Sequence, residues 1–311
     1  MGLRPDCLDS RRWCTEAYDR RYCLMAVNGV VIITPERETV WRFLSPFRLL
    51  LNLWNARHLI RQFALRDVVG RYKGSRLGLL WSIANPLLML SIYTFVFSVV
   101  FKSRWGVDAS DSRCGFALTM FCGMLVFNVF SESANRAPTL MLCSVNYVKK
   151  VVFPLEILPV SVVFSCLVFA CINILILLLA SAILLHSFSW TVFCIPLVLL
   201  PITLLALGVG WFLASLGVYL RDLGHIIGVI LQVLFFMTPL FYPVSAVPAQ
   251  FQPLLQLNPL TTIVESARNV LMWSMWPNWY WLAIVTLMSA VIAQLGYAWF
   301  MKTKRGFADV I

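Results

Sequence analysis

The chain has 311 residues, of which 60% are apolar and only 13% charged, and its net charge is +11. Soluble domains devote roughly a quarter of their residues to charge. This composition therefore excludes an ordinary soluble globule and predicts an all-α, polytopic membrane protein, since helices satisfy their own backbone groups in lipid. The positive charge does not imply nucleic acid, because 14 of the 25 Lys and Arg lie before Leu77 and the rest fall between apolar runs.

Residues 1–45 are predicted to form a cytoplasmic N-terminal extension, with disorder left open. Arg11-Arg12 superficially fits a twin-arginine signal, but Asp19, Arg20 and Arg21 occupy the place of its apolar stretch. The apolar run from Cys23 to Thr34 is too short to span, and Met25 is an alternative start. Residues 46–76 then read as a cytoplasmic interfacial helix and elbow. Leu49, Leu53, Ala56, Ile60 and Phe63 fall on one helical stripe, while Arg57, His58, Arg61 and Gln62 lie away from it. A helix lying on the membrane surface and a soluble helix packed on a partner both fit that pattern. Gly70, Gly74 and Gly78 recur every fourth residue, which suits a packing face, but Arg71, Lys73 and Arg76 intervene and favour a flexible elbow.

Six runs without Asp, Glu, Lys or Arg follow, and a helix of about 20 residues crosses a bilayer core. The predicted spans are 77–101, 114–131, 157–185, 190–218, 225–247 and 279–301. An N-terminus in the cytoplasm would put 21 of the 25 basic residues inside, so the positive-inside rule places both termini there. Trp81 anchors the entrance of the first span, which carries Pro86. The stretch from 157 to 220 is too long for one helix, and Ser187 and Ser189 beside His186 mark its turn. Ala206, Gly210 and Ala214 form a small-residue stripe suited to close helix contact.

The segment after Arg221-Asp222 is irregular. Pro239, Pro243 and Pro248 follow 14 residues after His225, so the fifth span is predicted to kink near Pro239. A re-entrant extracytoplasmic region before the last span, with a short helix over 260–273, is predicted next; an ordinary outer loop is the alternative.

Catalytic chemistry has no visible seat. No G-x-x-x-x-G-K-[ST] occurs, and Gly70 to Ser75 lacks its Lys-Ser ending. No Asp, Glu, Lys or Arg lies within the six runs to carry a coupling ion, and His58, His186 and His225 are scattered. The nine cysteines show no C-x-x-C pair or ligand spacing, so no metal is expected. The energy for any transport must come from a partner.

Leu65 to Pro86, through Arg66-Asp67-Val-Val-Gly-Arg71-Tyr72, resembles the elbow and first span of ABC-2 type polysaccharide export permeases. Lys149-Lys-Val-Val-Phe-Pro-Leu-Glu156, Tyr219-Leu-Arg-Asp-Leu223, Thr238-Pro-Leu-Phe-Tyr-Pro243, Asn258-Pro-Leu260 and Phe307-Ala-Asp309 follow in family order. The tail and the Lys149 stretch are most similar to the O-antigen permeases of lipopolysaccharide export; capsule and teichoic-acid permeases share the architecture. The first 40 or so residues carry none of the resemblance.

The resemblance implies a non-enzymatic homodimer in the bacterial inner membrane, bound to two ABC ATPase subunits that hold ATP and Mg, and passing a lipid-linked polysaccharide. It implies a docking helix within 132–156. Glu132, Asn135, Arg136, Lys149, Lys150, Glu156, Arg221 and Asp222 would contact the ATPase, with a plain positive-inside loop as the alternative for the lysines. Arg57, Arg61, Arg66, Asp67, Arg71 and Tyr72 would form the elbow against membrane lipid. Pro239, Phe241, Tyr242, Pro243, Asn258, Glu265 and Arg268 would form an outer gate, Glu265 and Arg268 alternatively making only a local ion pair. Tyr93, Phe97 and Phe101 lie at i, i+4, i+8, and with Phe235 and Phe236 they would line a conduit for sugar rings; simple packing explains them equally. A membrane-embedded glycan-lipid transferase and a membrane scaffold are the competing classes. The former calls for clustered acidic residues, which are scattered here.

Overall fold

The structure, a computed structural model, describes residues 22–27, 30–35, 45–71, 80–96, 113–149, 153–185 and 189–310. It comprises two units, Met1–Arg42 and Phe43–Ile311.

The first unit corrects the all-α expectation. Strands β1 (Tyr22–Val27) and β2 (Val30–Pro35) pair antiparallel, with Tyr22 opposite Pro35 and Val27 opposite Val30. Val30, Val31, Ile32, Ile33 and Thr34 are a β-branched run, and Asn28-Gly29 between the strands is a strong two-residue hairpin signal. The apolar run that was too short to span is thus strand material.

The second unit is helical: α1 (Pro46–Asn55), α2 (Arg57–Gly70), α3 (Trp81–Tyr93), α4 (Arg113–Leu140), α5 (Val145–Lys149), α6 (Ile157–Leu184), α7 (Ile195–Tyr219), α8 (Leu223–Met237), α9 (Gln252–Leu257), α10 (Pro259–Leu271), α11 (Trp279–Thr303) and α12 (Phe307–Val310). Among the described residues, four helical stretches are long and apolar enough to cross a membrane: Gly115–Leu140, Ile157–Leu184, Trp190–Tyr219 and Trp279–Gly306. Trp81–Val96 and Leu223–Met237 are apolar but shorter.

Two predicted boundaries move. The second span was expected to end at Ser131, yet α4 continues to Leu140. Its charges, Glu132 and Arg136, are paired with Arg71, just past the end of α2, and Asp67 of α2, and so do not terminate it. The docking helix expected from 132 onward is therefore the end of α4, and only the short α5 stands apart. The fifth span was expected to kink near Pro239 and run to Val247. Instead α8 stops at Met237, and Thr238 is extended, as the residue before a proline prefers. The interfacial helix is broken at Ala56 into α1 and α2. Its predicted stripe still holds: Leu49, Leu53, Ala56, Ile60 and Phe63 all pack against the bundle core.

Helix α7 is central, packing most extensively on α11 and then on α4. Close approach is enforced by glycine. A Cβ on Gly296 would lie 2.1 Å from the Gly208 carbonyl oxygen, and one on Gly217 would lie 2.2 Å from that of Pro138. At these points α7 meets α11 and α4 backbone to backbone, a contact only small residues permit. The predicted stripe is also buried, with Ala206 and Ala214 fully enclosed, but Gly210 meets Pro159 at an ordinary 3.9 Å. The tightest contacts thus fall just off the stripe.

Candidate functional site

The functional candidates gather at the two ends of the helical bundle. At one end, α2 is tied to α4 by charge. Both guanidinium nitrogens of Arg136 bond the Asp67 carboxylate, one of them at 2.8 Å, and Arg71 pairs with Glu132. Ser165 of α6 donates to Asp67 at 2.5 Å, and the Arg71 guanidinium stacks 4.1 Å from the centre of the Phe169 ring. Burial pushes the Asp67 carboxyl up. The hydrogen bonds from Arg136 and Ser165 and the positive charges of Arg136 and Arg71 outweigh it, holding the group below the ordinary carboxylate range.

Beside this network lies an open cavity of 570 Å³, bounded by Phe63, Arg66, Arg71, Glu132, Arg136 and Tyr147 among others. Arg66 donates to the Tyr147 hydroxyl at 3.1 Å, and Tyr147 also packs on Phe63 and Phe153. Phe153 belongs to the Lys149 motif, so that motif and the elbow meet here.

A second link closes the same end. Glu156, 7% exposed, pairs with Lys304 at 2.6 Å, while its backbone carbonyl accepts from the Trp211 indole at 3.0 Å. Tyr219 packs on the fully buried Phe307 and donates to the Thr303 carbonyl at 3.3 Å. The Tyr219 motif and the tail motif are thereby one contact. Asn135, Arg221 and Asp222 are exposed, as are Arg57 and Arg61. Thus Glu132, Arg136 and Glu156, expected to contact a partner, each form an ion pair within the chain, while Asn135, Arg221 and Asp222 are exposed. Tyr72, Lys150, Phe97 and Phe101 lie outside the described residues, and so does the Lys149 side chain.

At the opposite end, α10 is buried in the bundle and Arg268 is 1% exposed. Its guanidinium donates to three carbonyls: Thr119 of α4 at 3.2 Å, Pro239 at 2.7 Å and Leu240 at 2.8 Å. Gly123 makes room for it, since a Cβ there would sit 2.8 Å from the guanidinium. Asn258 caps α10 by accepting from the Leu260 amide at 3.1 Å, and its own amide donates to the Thr238 hydroxyl at 3.1 Å. Ser189 and Thr191 both donate to the Val270 carbonyl, at 2.7 and 2.6 Å. Apart from the Thr119 carbonyl, which lies within α4, the acceptors lie at or near the places where helices stop, and apolar surroundings require such groups to be paired. The Thr238 and Asn258 motifs, 20 residues apart, are therefore joined directly. Tyr242 donates to the Phe236 carbonyl at 3.0 Å.

Of the aromatic residues expected along a conduit, Phe235 packs on Phe127 and Phe241, Tyr93 is half-buried against the core, and Phe236 is exposed. Ser165, Lys304 and Gly123 were not singled out from the sequence. Lys304 was legible only as part of a basic tail, and the other two gave no signal.

Long apolar helices bound to a charged helix pair at one end and a buried short helix at the other define a multi-pass membrane protein. The chain belongs to the ABC-2 type transporter family, whose model matches residues 58–272. It is 28% identical over 248 residues to the O-antigen export system permease protein RfbA of Klebsiella pneumoniae, covering 79% of this chain and 92% of that protein. It is also 28% identical to the RfbA of Myxococcus xanthus, over 85% of this chain and 99% of the relative. The polysialic acid transport protein KpsM of Escherichia coli is 26% identical over 67% of the chain and 79% of its own length.

Proposed function

We propose that the chain is the membrane-spanning permease subunit of an ATP-driven exporter that moves a lipid-linked polysaccharide, of O-antigen type, across the bacterial inner membrane. The observation that carries this reading is the match to O-antigen export permeases along 79% of the chain and 92% of their length. The KpsM relative keeps capsule export as the second reading. In this account the chain crosses the membrane six times, with α3 and α8 as the shorter spans, and both termini lie in the cytoplasm.

The end carrying α1, α2 and α5 then faces the cytoplasm, where a pair of ABC ATPase subunits binding ATP and Mg would dock on a homodimer of permeases. Asn135, Arg221 and Asp222 are the docking residues best supported by exposure; Lys149 and Lys150 complete the set. The Asp67, Arg71, Glu132 and Arg136 network holds α2 to α4, so that a push on the docking surface reaches the spans through bonded side chains rather than through a flexible loop. Glu156 serves the same end through Lys304. Phe47, Leu50 and Trp54, exposed on α1, suit an apolar surface immersed in the headgroup layer, with Arg57 and Arg61 toward lipid phosphates. Tyr93, Phe235 and Phe236, with Phe97 and Phe101, offer rings over which sugars slide. The α9–α10 region and the Pro239 to Pro243 turn form the outer gate.

The test is reconstitution of the permease with an ABC ATPase subunit of a polysaccharide exporter from the same source. Hydrolysis stimulated by the permease, together with ATP-dependent movement of lipid-linked glycan into liposomes, is the expected result. An ATPase indifferent to the permease, or glycan moved by the permease alone, rejects the reading.

A further inference from the structure

At the end of the bundle assigned above to the outer face, α10 carries two unlike sides. Leu260, Ile263, Val264, Ala267, Val270 and Leu271 are buried in the bundle. Thr262, Glu265 and Asn269 recur at helical spacing on the other side, next to Thr261 and Ser266, and line a cavity of 240 Å³. Gln256 of α9 closes one wall, and Asn278 and Trp281 at the start of α11 close the other.

Thr261 is 1% exposed, yet its hydroxyl has no hydrogen-bond partner. A buried helical threonine can bond the carbonyl one turn back, as Thr119, Thr203, Thr238 and Thr286 do in this chain. Near its N-terminus α10 begins with Pro259, and the Thr261 hydroxyl finds no such acceptor. A buried hydroxyl without a protein partner is costly, and it marks this wall of the cavity as short of one polar contact.

We propose that this cavity is a binding site for a single uncharged sugar residue, through which the permease holds the glycan on its outer side. The lining fits that ligand class and few others. Sugar hydroxyls both donate and accept, and so do the Asn and Gln amides and the Thr and Ser hydroxyls that converge here. Trp281 is 47% exposed and supplies an apolar ring face for the C–H surface of a pyranose. Glu265 is the one ionisable side chain among the lining residues, which disfavours anionic ligands and gives a divalent cation too few carboxylates. The volume suits one ring rather than a polymer segment or a lipid tail. The site deepens the polysaccharide-export reading and rests on it for its orientation.

The experiment is saturation-transfer NMR on the full-length permease in nanodiscs, titrated with methyl glycosides of glucose, galactose, mannose and N-acetylglucosamine. At least one glycoside binds saturably. Trp281→Ala and Asn269→Leu each weaken it by about tenfold, the loss of one stacking face or one paired amide. Trp276→Ala, an exposed tryptophan outside the lining, leaves binding unchanged. No saturable binding of any of the four, or binding that survives both pocket variants, overturns the site. ATP-driven glycan transport by the wild-type complex is read in parallel. Transport without pocket binding removes this inference and keeps the export function, whereas pocket binding without transport does the reverse.

Discussion

The two ends of the bundle are fastened by different chemistry. The end with α1 and α2 is held by opposite charges, Asp67 and Glu132 against Arg71 and Arg136, all of them between a fifth and about a third exposed. The α10 end is held by a buried guanidinium on three neutral carbonyls, helped by Asn258, Ser189 and Thr191. Partly exposed ion pairs are weak, screened by salt and easily rearranged. A buried cation that satisfies irregular backbone is costly to disturb and insensitive to salt. The charged end is therefore the more easily rearranged of the two, and the α10 end holds a fixed shape around chain that leaves its helices.

The sharpest way to break that contrast is Arg268→Leu. Three carbonyls at the α10 end lose their donor, and we expect about 3–5 kcal/mol of destabilisation, read as loss of monodisperse protein on size exclusion and a lowered Tm. A loss no larger than that of an exposed-surface variant would refute the clamp. Next in size is Lys304→Met, which leaves the Glu156 carboxylate buried and unpaired; about 2–3 kcal/mol is expected, and Glu156→Gln in the same background restores part of the loss. The smallest effect is at Asp67. Its folded pKa lies below the ordinary carboxylate range, so its contribution is present at neutral pH and is lost as pH falls below that range through the folded value. Asp67→Asn should cost about 1 kcal/mol at neutral pH and flatten the acid limb of thermal stability measured across a pH series. An unchanged acid limb would show that the network adds nothing.

Legibility followed the range of the governing physics. Spans α6 and α11 match their charge-free runs to within two residues, because the cost of a charge in lipid is a local property. The hairpin is also written locally, in Asn28-Gly29 between apolar, β-branched stretches, but each strand is only six residues long and gives no signal at the length of a membrane span. The extension of α4 to Leu140 depends on Asp67 and Arg71, residues of another helix, so Glu132 and Arg136 read as a loop when taken alone. Likewise the stop of α8 at Met237 follows from Asn258 and Arg268, which take up the groups released at Thr238 to Leu240. Proline signalled the break but not its form. The motifs named residues that the structure brings together and left their pairing open: Glu156 was expected to contact a partner subunit, and Lys304, with which it pairs, lies 148 residues away.

The crossing of Gly208 and Gly296 sets a limit on how this bundle can open. With main chain against main chain there is no rotamer to swing aside, so α7 and α11 must travel as one strut. Among the described residues, α3 and α8 carry no such seam, and Ile83, Leu88, Val229 and Val233 face outward there. Stiffness is thus concentrated in one seam of main chain, to one side of these two apolar helices.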